Sequence, residues 1–173
     1  MSSFEPRHLA PSSGAAAVAR FYERAVSAAR PRAARARPRR IFVSHNGELT
    51  VSTDAASQVI NEGLSASLVE SVLGAGVDKS KVLEAIGIDK ATLRRREAKR
   101  GRLAPVEAAG TIRAMALVTR ATEVFGTVET ASVWLNKAHP LLAGKSPMAF
   151  ASNEFGAAKI DSMLVAMRYG GVV

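Results

Sequence analysis

Lys90, Arg94, Arg95, Arg96, Lys99, Arg100 and Arg102 fall within thirteen residues that contain one acid, Glu97. Cations at this density suit a polyanion, because Arg can form bidentate bonds to guanine O6 and N7 while the remaining cations neutralise phosphates. Helical spacing sorts them: Thr92, Arg95, Arg96 and Lys99 lie at i, i+3, i+4 and i+7 on one stripe, whereas Leu93 turns inward. A basic run alone is usually a solvated helix face. The case for DNA rests on what precedes it, a capped helix that ends at Gly87, an apolar Ile88 and an immediate restart at Asp89, which is the texture of a helix-turn-helix. The candidate DNA contacts are Lys90, Thr92, Arg94, Arg95, Arg96 and Lys99.

Other residues invite catalytic readings and fail them. Gly144-Lys145-Ser146 resembles part of a P-loop, but His139 occupies the position of the required earlier glycine and no strand precedes it. Gly74-Ala75-Gly76 sits between helices, without the strand of a dinucleotide fold. His8, His45 and His139 are scattered singly, and the chain has no cysteine, so no triad, thiol nucleophile or metal site is expected. We expect a protein that is not an enzyme and carries no cofactor.

The elements that must position these residues read as helical. Asp54, Ser65, Asp78, Asp89, Thr127, Ser146 and Asn153 are helix starters, Pro105 opens a long helix to Phe125, and Gly63, Gly87, Gly101 and Gly126 are stops. Ile160, Met163, Leu164 and Met167 form a buried stripe in the last helix. Before these helices, two short β runs flank Asn46-Gly47 and predict a hairpin over 41–53 that must pack on something to persist. The 173 residues contain 47% hydrophobic but only 5% aromatic side chains, which favours a helical core of Ala, Leu, Val, Ile and Met.

The net charge of +9 is unevenly spread. Residues 1–40 hold nine Arg and two Glu, whereas 104–173 hold six cations and five acids. Proline breaks and few large apolar residues mark 1–40 as a flexible, disordered basic arm with at most a transient helix over Ala15 to Ala29 anchored by Phe21 and Tyr22, either a solvated extension or a sequence-independent nucleic-acid tether. No apolar run approaches about eighteen residues, so a cytoplasmic protein without a membrane partner is expected.

From about Gly63 onward the chain resembles the Xre/MbcA/ParS-type antitoxins, partners of RES-domain toxins. The resemblance rests on Thr92-Leu93-Arg94-Arg95-Arg96, Gly101-Arg102-Leu103, Val124-Phe125-Gly126, Trp134-Leu135-Asn136, His139 to Pro147, Glu154-Phe155-Gly156-Ala157 and Tyr169-Gly170. It departs at Ala108-Ala109-Gly110, where the family tends to place a polar cluster, and at Ala143-Gly144, where relatives often carry two glycines.

The resemblance implies an all-α protein: a helix-turn-helix DNA-binding and dimerisation region over 54–103, then a small helical toxin-binding domain over 104–173. The first part would repress its own operon, and the second would cover the active site of an NAD-degrading toxin. Carried over residue by residue, the toxin contacts are Trp134, Leu142, Gly144, Lys145, Pro147, Arg168, Tyr169 and Gly170, with Gly171, Val172 and Val173 as an inserted tail. Implied partners are the RES-domain toxin, operator DNA and a second copy of the chain, joined in a larger hetero-oligomer. The alternative is a stand-alone helix-turn-helix regulator whose C-terminal helices bind another protein.

Overall fold

Helix α7 (Pro105–Phe125) is the axis of the molecule, with Ala104 before Pro105 as its N-cap and Gly126 as its stop. A computed structural model describes residues 13–35, 40–45 and 48–170. Around α7 pack α1 (Ser13–Ala29), α3 (Thr53–Glu62), α4 (Leu68–Leu73), α5 (Lys79–Ile86), α8 (Val128–Asn136) and α10 (Glu154–Arg168), together with strand β2 (Glu48–Val51). The remaining elements are α2 (Arg32–Arg35), β1 (Phe42–His45), α6 (Lys90–Ala98), a 3-10 turn at Pro140–Leu142 and α9 (Pro147–Phe150). The architecture is all-α with one short hairpin, as the sequence predicts.

Burial on nearly every side explains the composition of α7. Gly110, Ile112, Ala114, Met115, Leu117, Val118 and Ala121 are all buried, and the hydroxyls of Thr111, Thr119 and Thr122 donate to the carbonyls four residues back at 2.8–2.9 Å. Those bonds leave no buried hydroxyl without a partner along this helix. Gly110 marks a close crossing: a Cβ there would lie 2.9 Å from the Cα and carbonyl oxygen of Ile86 in α5.

The N-terminal region differs from the sequence expectation. A flexible arm is expected over residues 1–40, yet 13–29 form α1, with Ala15, Ala19, Tyr22 and Val26 buried. Arg30 is 2% exposed; its Nε donates to Glu62 at 2.6 Å and its Nη2 donates to the Ala34 carbonyl at 2.6 Å. Residues 1–12 and 36–39 of the expected arm lie outside the described residues, as do Asn46-Gly47 of the predicted turn and Gly171, Val172 and Val173 of the predicted tail.

The hairpin pairs antiparallel from Phe42–Val51 to His45–Glu48 and is held by two carboxylates from different helices. Glu23 of α1 accepts the Phe42 N–H at 2.6 Å, and Glu123 of α7 accepts the Leu49 N–H at 2.8 Å. Phe42 also stacks on Tyr22 with ring centroids 6.2 Å apart. An isolated hairpin is marginal in water, and here both its edge and its apolar face have partners. One continuous core runs from Ala19 to Leu164.

Candidate functional site

Sequence reasoning selects two surfaces, and the fold places each on a firm support. The first is α6. Asp78 caps α5 through the Ser80 N–H at 2.9 Å, and Asp89 caps α6 through the Thr92 N–H at 2.8 Å. The side-chain and backbone donors of Thr92 hold the Asp89 carboxyl below the usual range, and those of Ser80 and Lys81 do the same for Asp78. Between the helices Gly87 adopts the left-handed conformation at φ +80°, which a residue with a Cβ disfavours. Ile88 is buried, and α6 itself buries only Leu93, so the short second helix presents nearly all its other residues outward.

Its cations are not equivalent. Lys90, Arg94, Arg95 and Lys99 are exposed and carry no ion pair among the described residues. Thr92 is half-buried beside its cap. Arg96 turns toward α7 and pairs with Glu107, whose carboxylate also accepts the Ala104 N–H at 2.7 Å. The stripe that includes Arg96 is therefore divided, with one of its members bound to the start of α7.

The second surface belongs to the C-terminal half. Val133, Leu141, Phe155 and Tyr169 are large apolar side chains left 54–89% exposed. Trp134 is half-buried against Phe125, ring centroids 5.5 Å apart, and lines a cleft with Lys137, Ala138, His139, Pro140 and Met167. Lys145, Phe150, Phe155 and Lys159 line a neighbouring depression, where the Lys159 ammonium sits 5.6 Å from the Phe150 ring.

Between these features, the loop from His139 to Lys145 closes on itself: the His139 N–H donates to the Lys145 carbonyl and the Gly144 N–H donates back to His139. Ala143 and Gly144 both take positive φ, +53° and +75°. Glycine suits such positions, so Ala143 adopts its conformation at a cost of about 1 kcal/mol. Among the toxin contacts implied by the resemblance, Gly144 and Lys145 are exposed, and Lys145 pairs with Glu84 of α5 at 2.9 Å. Leu142 and Pro147 are buried, Leu142 as the apolar anchor of the loop and Pro147 as the first residue of α9.

The end of α10 is fixed by charge. Arg168 lies 3.4 Å from Glu48 and 3.7 Å from Glu123, and the exposed Tyr169 donates its hydroxyl to Glu48 at 3.4 Å. Arg120 joins the same cluster, with contacts to Glu48 and Asp161 at 2.9 Å and to Glu123 at 3.4 Å. Burial pushes the Glu123 carboxyl up, against the opposing pull of the Leu49 N–H and Arg120. Burial also works against the Arg120 charge, but Asp161 and Glu48 overcome it and hold the guanidinium proton above its ordinary range. Gly170 leaves the helix at φ +82°.

Sequence reasoning did not identify Glu48, Arg120, Glu123 or Asp161. The available signal was the Arg120–Glu123 pair at i, i+3 within an otherwise apolar stretch of α7, since charges on a buried helix need partners. Among the described residues, no cluster of His, Asp and Glu could hold a metal ion, and no helix is long and apolar enough to cross a membrane.

Comparison with known proteins places the second surface in a family. Residues 120–170, from the Arg120 cluster to Gly170, match the family model described as the antitoxin Xre/MbcA/ParS C-terminal toxin-binding domain. A 113-residue stretch, 64% of the chain, is 26% identical to the "Antitoxin Xre" of Yersinia enterocolitica and covers 76% of that protein. Residues 120–170 are thus similar to the toxin-binding domain of this family, and the longer stretch is similar to an antitoxin of the Xre type.

Proposed function

We propose that this chain is an antitoxin of the Xre/MbcA/ParS type, that it neutralises a RES-domain, NAD-degrading toxin by laying its C-terminal region over the toxin active site, and that it represses its own operon through a helix-turn-helix formed by α5, the Gly87 turn and α6. The observation that carries the first part is that the matched segment 120–170 coincides with the exposed set Val133, Leu141, Phe155 and Tyr169. Exposed aromatic and aliphatic side chains beside a firm, charge-anchored helix end are typical of interface anchors. Gly170 ends α10 at positive φ, and the resemblance assigns the next residues, Gly171, Val172 and Val173, to the toxin cleft. In this reading Trp134, Gly144, Lys145, Arg168, Tyr169 and Gly170 surround the contact, while Leu142 and Pro147 shape the loop from beneath.

The second part is supported by the caps at Asp78 and Asp89, the left-handed Gly87 and the outward cations Lys90, Arg94, Arg95 and Lys99. Arg96, paired with Glu107, steadies α6 rather than reading bases. The protein acts in the cytoplasm as a homodimer on a two-fold operator and joins toxin in a larger hetero-oligomer.

Separation of the two activities tests the reading. A chain lacking Gly171 to Val173 is co-expressed with the adjacent toxin gene product, and its operator binding is measured alongside that of Arg95→Ala. The truncation should lose neutralisation and keep DNA binding, while Arg95→Ala should do the reverse, weakening operator affinity by about 1–3 kcal/mol. Full neutralisation by the truncated chain would sink the tail assignment, and no adjacent toxin gene would favour the stand-alone regulator.

A further inference from the structure

Beyond the outward face of α6, a second group of cations surrounds a concavity where three segments meet. Ser65 and Ser67 form one wall, Arg100 and Arg102 the second, and Arg32, after the end of α1, the third. Backbone pairing fixes the first two walls together: the Ala66 N–H donates to the Gly101 carbonyl at 3.0 Å, and the Leu103 N–H donates to the Leu64 carbonyl at 2.9 Å. The third wall is held by the Ser65 N–H, which donates to the Ala29 carbonyl at 3.0 Å. The buried Arg30–Glu62 pair locks the same corner from behind.

We infer that this concavity is a phosphodiester-binding site for duplex DNA, so that the segment following α1 extends the nucleic-acid surface of α6. The inference rests on the DNA-binding reading given above. Arg32 and Arg100 are exposed and carry no ion pair among the described residues, and Arg102 is exposed with one guanidinium nitrogen on the Glu62 carbonyl at 2.9 Å. The hydroxyls of Ser65 and Ser67 lie 2.9 Å apart on the rim and supply neutral donors of the kind that position phosphate oxygens.

The carboxylate of Glu97 also lines the site and opposes an anion, but Arg32, Arg100 and Arg102 outnumber it. Arg100 stands at φ +49°, a left-handed position that glycine or asparagine fills at lower cost. A cation placed there, immediately after Lys99 at the C-cap of α6, continues the helix's basic face into the concavity.

Each cation that neutralises one phosphate contributes close to 0.9 to the slope of log affinity against log salt. The test uses the full chain and a labelled random-sequence duplex of about thirty base pairs, titrated between about 50 and 200 mM salt. Arg32→Ala and Arg100→Asn together should lower the slope by about two and weaken binding by roughly five- to tenfold per cation near 0.1 M salt. Arg32→Lys should retain the slope, because it retains the charge. Lys137→Ala, which removes a cation on the C-terminal half, should leave both slope and affinity unchanged. An unchanged folding midpoint checks that the double variant is folded.

If the double variant keeps the parent slope while Arg95→Ala with Lys99→Ala lowers it, the site is overturned and the α6 reading survives. If the parent chain shows no salt-dependent binding to duplex DNA, both are overturned.

Discussion

Removing the Arg120 guanidinium tests whether the charge cluster supports the C-terminal domain. Arg120→Gln keeps the stem but leaves Glu123, Glu48 and Asp161 without their shared cation. Their side chains are 2%, 23% and 51% exposed, so the cost falls mainly on Glu123. Removing one partner of a fully buried pair costs about 3–5 kcal/mol, whereas an exposed pair is worth about 0–1 kcal/mol. Arg168 remains near Glu48 and Glu123, and the Leu49 N–H remains on Glu123, which brings the expected loss to about 2–3 kcal/mol at neutral pH. For a chain of this size, that lowers the thermal midpoint by about 4–12 °C.

The pH dependence gives a sharper reading. Glu123 already titrates above its ordinary range, so the native state binds its proton more tightly than the unfolded chain does. Such a group makes stability fall as pH rises from the unfolded value near about 4.3 through the raised folded value. Loss of Arg120 raises Glu123 further, so the deficit of the variant should be largest at pH 7 and shrink on acidification toward about pH 5. Urea melts of parent and variant across that interval measure this, and adding Glu123→Gln to the variant should recover part of the loss. A deficit below about 1 kcal/mol at neutral pH, or one that grows as pH falls, refutes the assignment of Glu123 as the group that needs Arg120.

Gly156→Ala should destabilise despite the roughly 1 kcal/mol that alanine gains inside a helix, because its Cβ would lie 2.1 Å from the Phe150 carbonyl oxygen. The backbone must separate α9 from α10, so a loss of about 2–3 kcal/mol in chemical denaturation is expected. Leu142→Ala should cost about 2–5 kcal/mol through the cavity it opens under the His139–Lys145 loop. Phe155→Ala, at an 89% exposed position, should stay within about 0.5 kcal/mol of the parent in the same melts yet weaken the complex with toxin.

How much of this was legible in the sequence depends on the reach of the interaction. Capped helices are local events, so Asp78, Asp89, Thr127, Ser146 and Asn153 cap where their side-chain chemistry predicts, and α7 runs from Pro105 to Phe125 as its proline and glycine signals indicate. Helix α1 reads from the sequence only as a transient helix over 15–29, because an alanine-rich segment has little large apolar surface with which to offset the entropy of ordering. Its buried residues, Ala15, Ala19, Tyr22 and Val26, nevertheless fall at spacings of four, three and four, a narrow helical stripe. Small residues can pack when the partner comes close. At Gly14, next to that stripe, a Cβ would lie only 2.5 Å from the Gly126 carbonyl oxygen at the end of α7.

The charges on α7 show the other limit. Glu107, Arg113, Arg120 and Glu123 are its four ionisable residues, and each pairs with a group contributed at least in part by another element: Arg96, Glu154, Glu48 with Asp161, and Arg168. Sequence alone predicts that charges on a buried helix need partners, but it does not say which distant segment supplies them. Here the partners come from α6, the hairpin and α10, three elements far apart in the sequence. A cation on α6 and a carboxylate on the hairpin thus pair with the same central helix near its two ends.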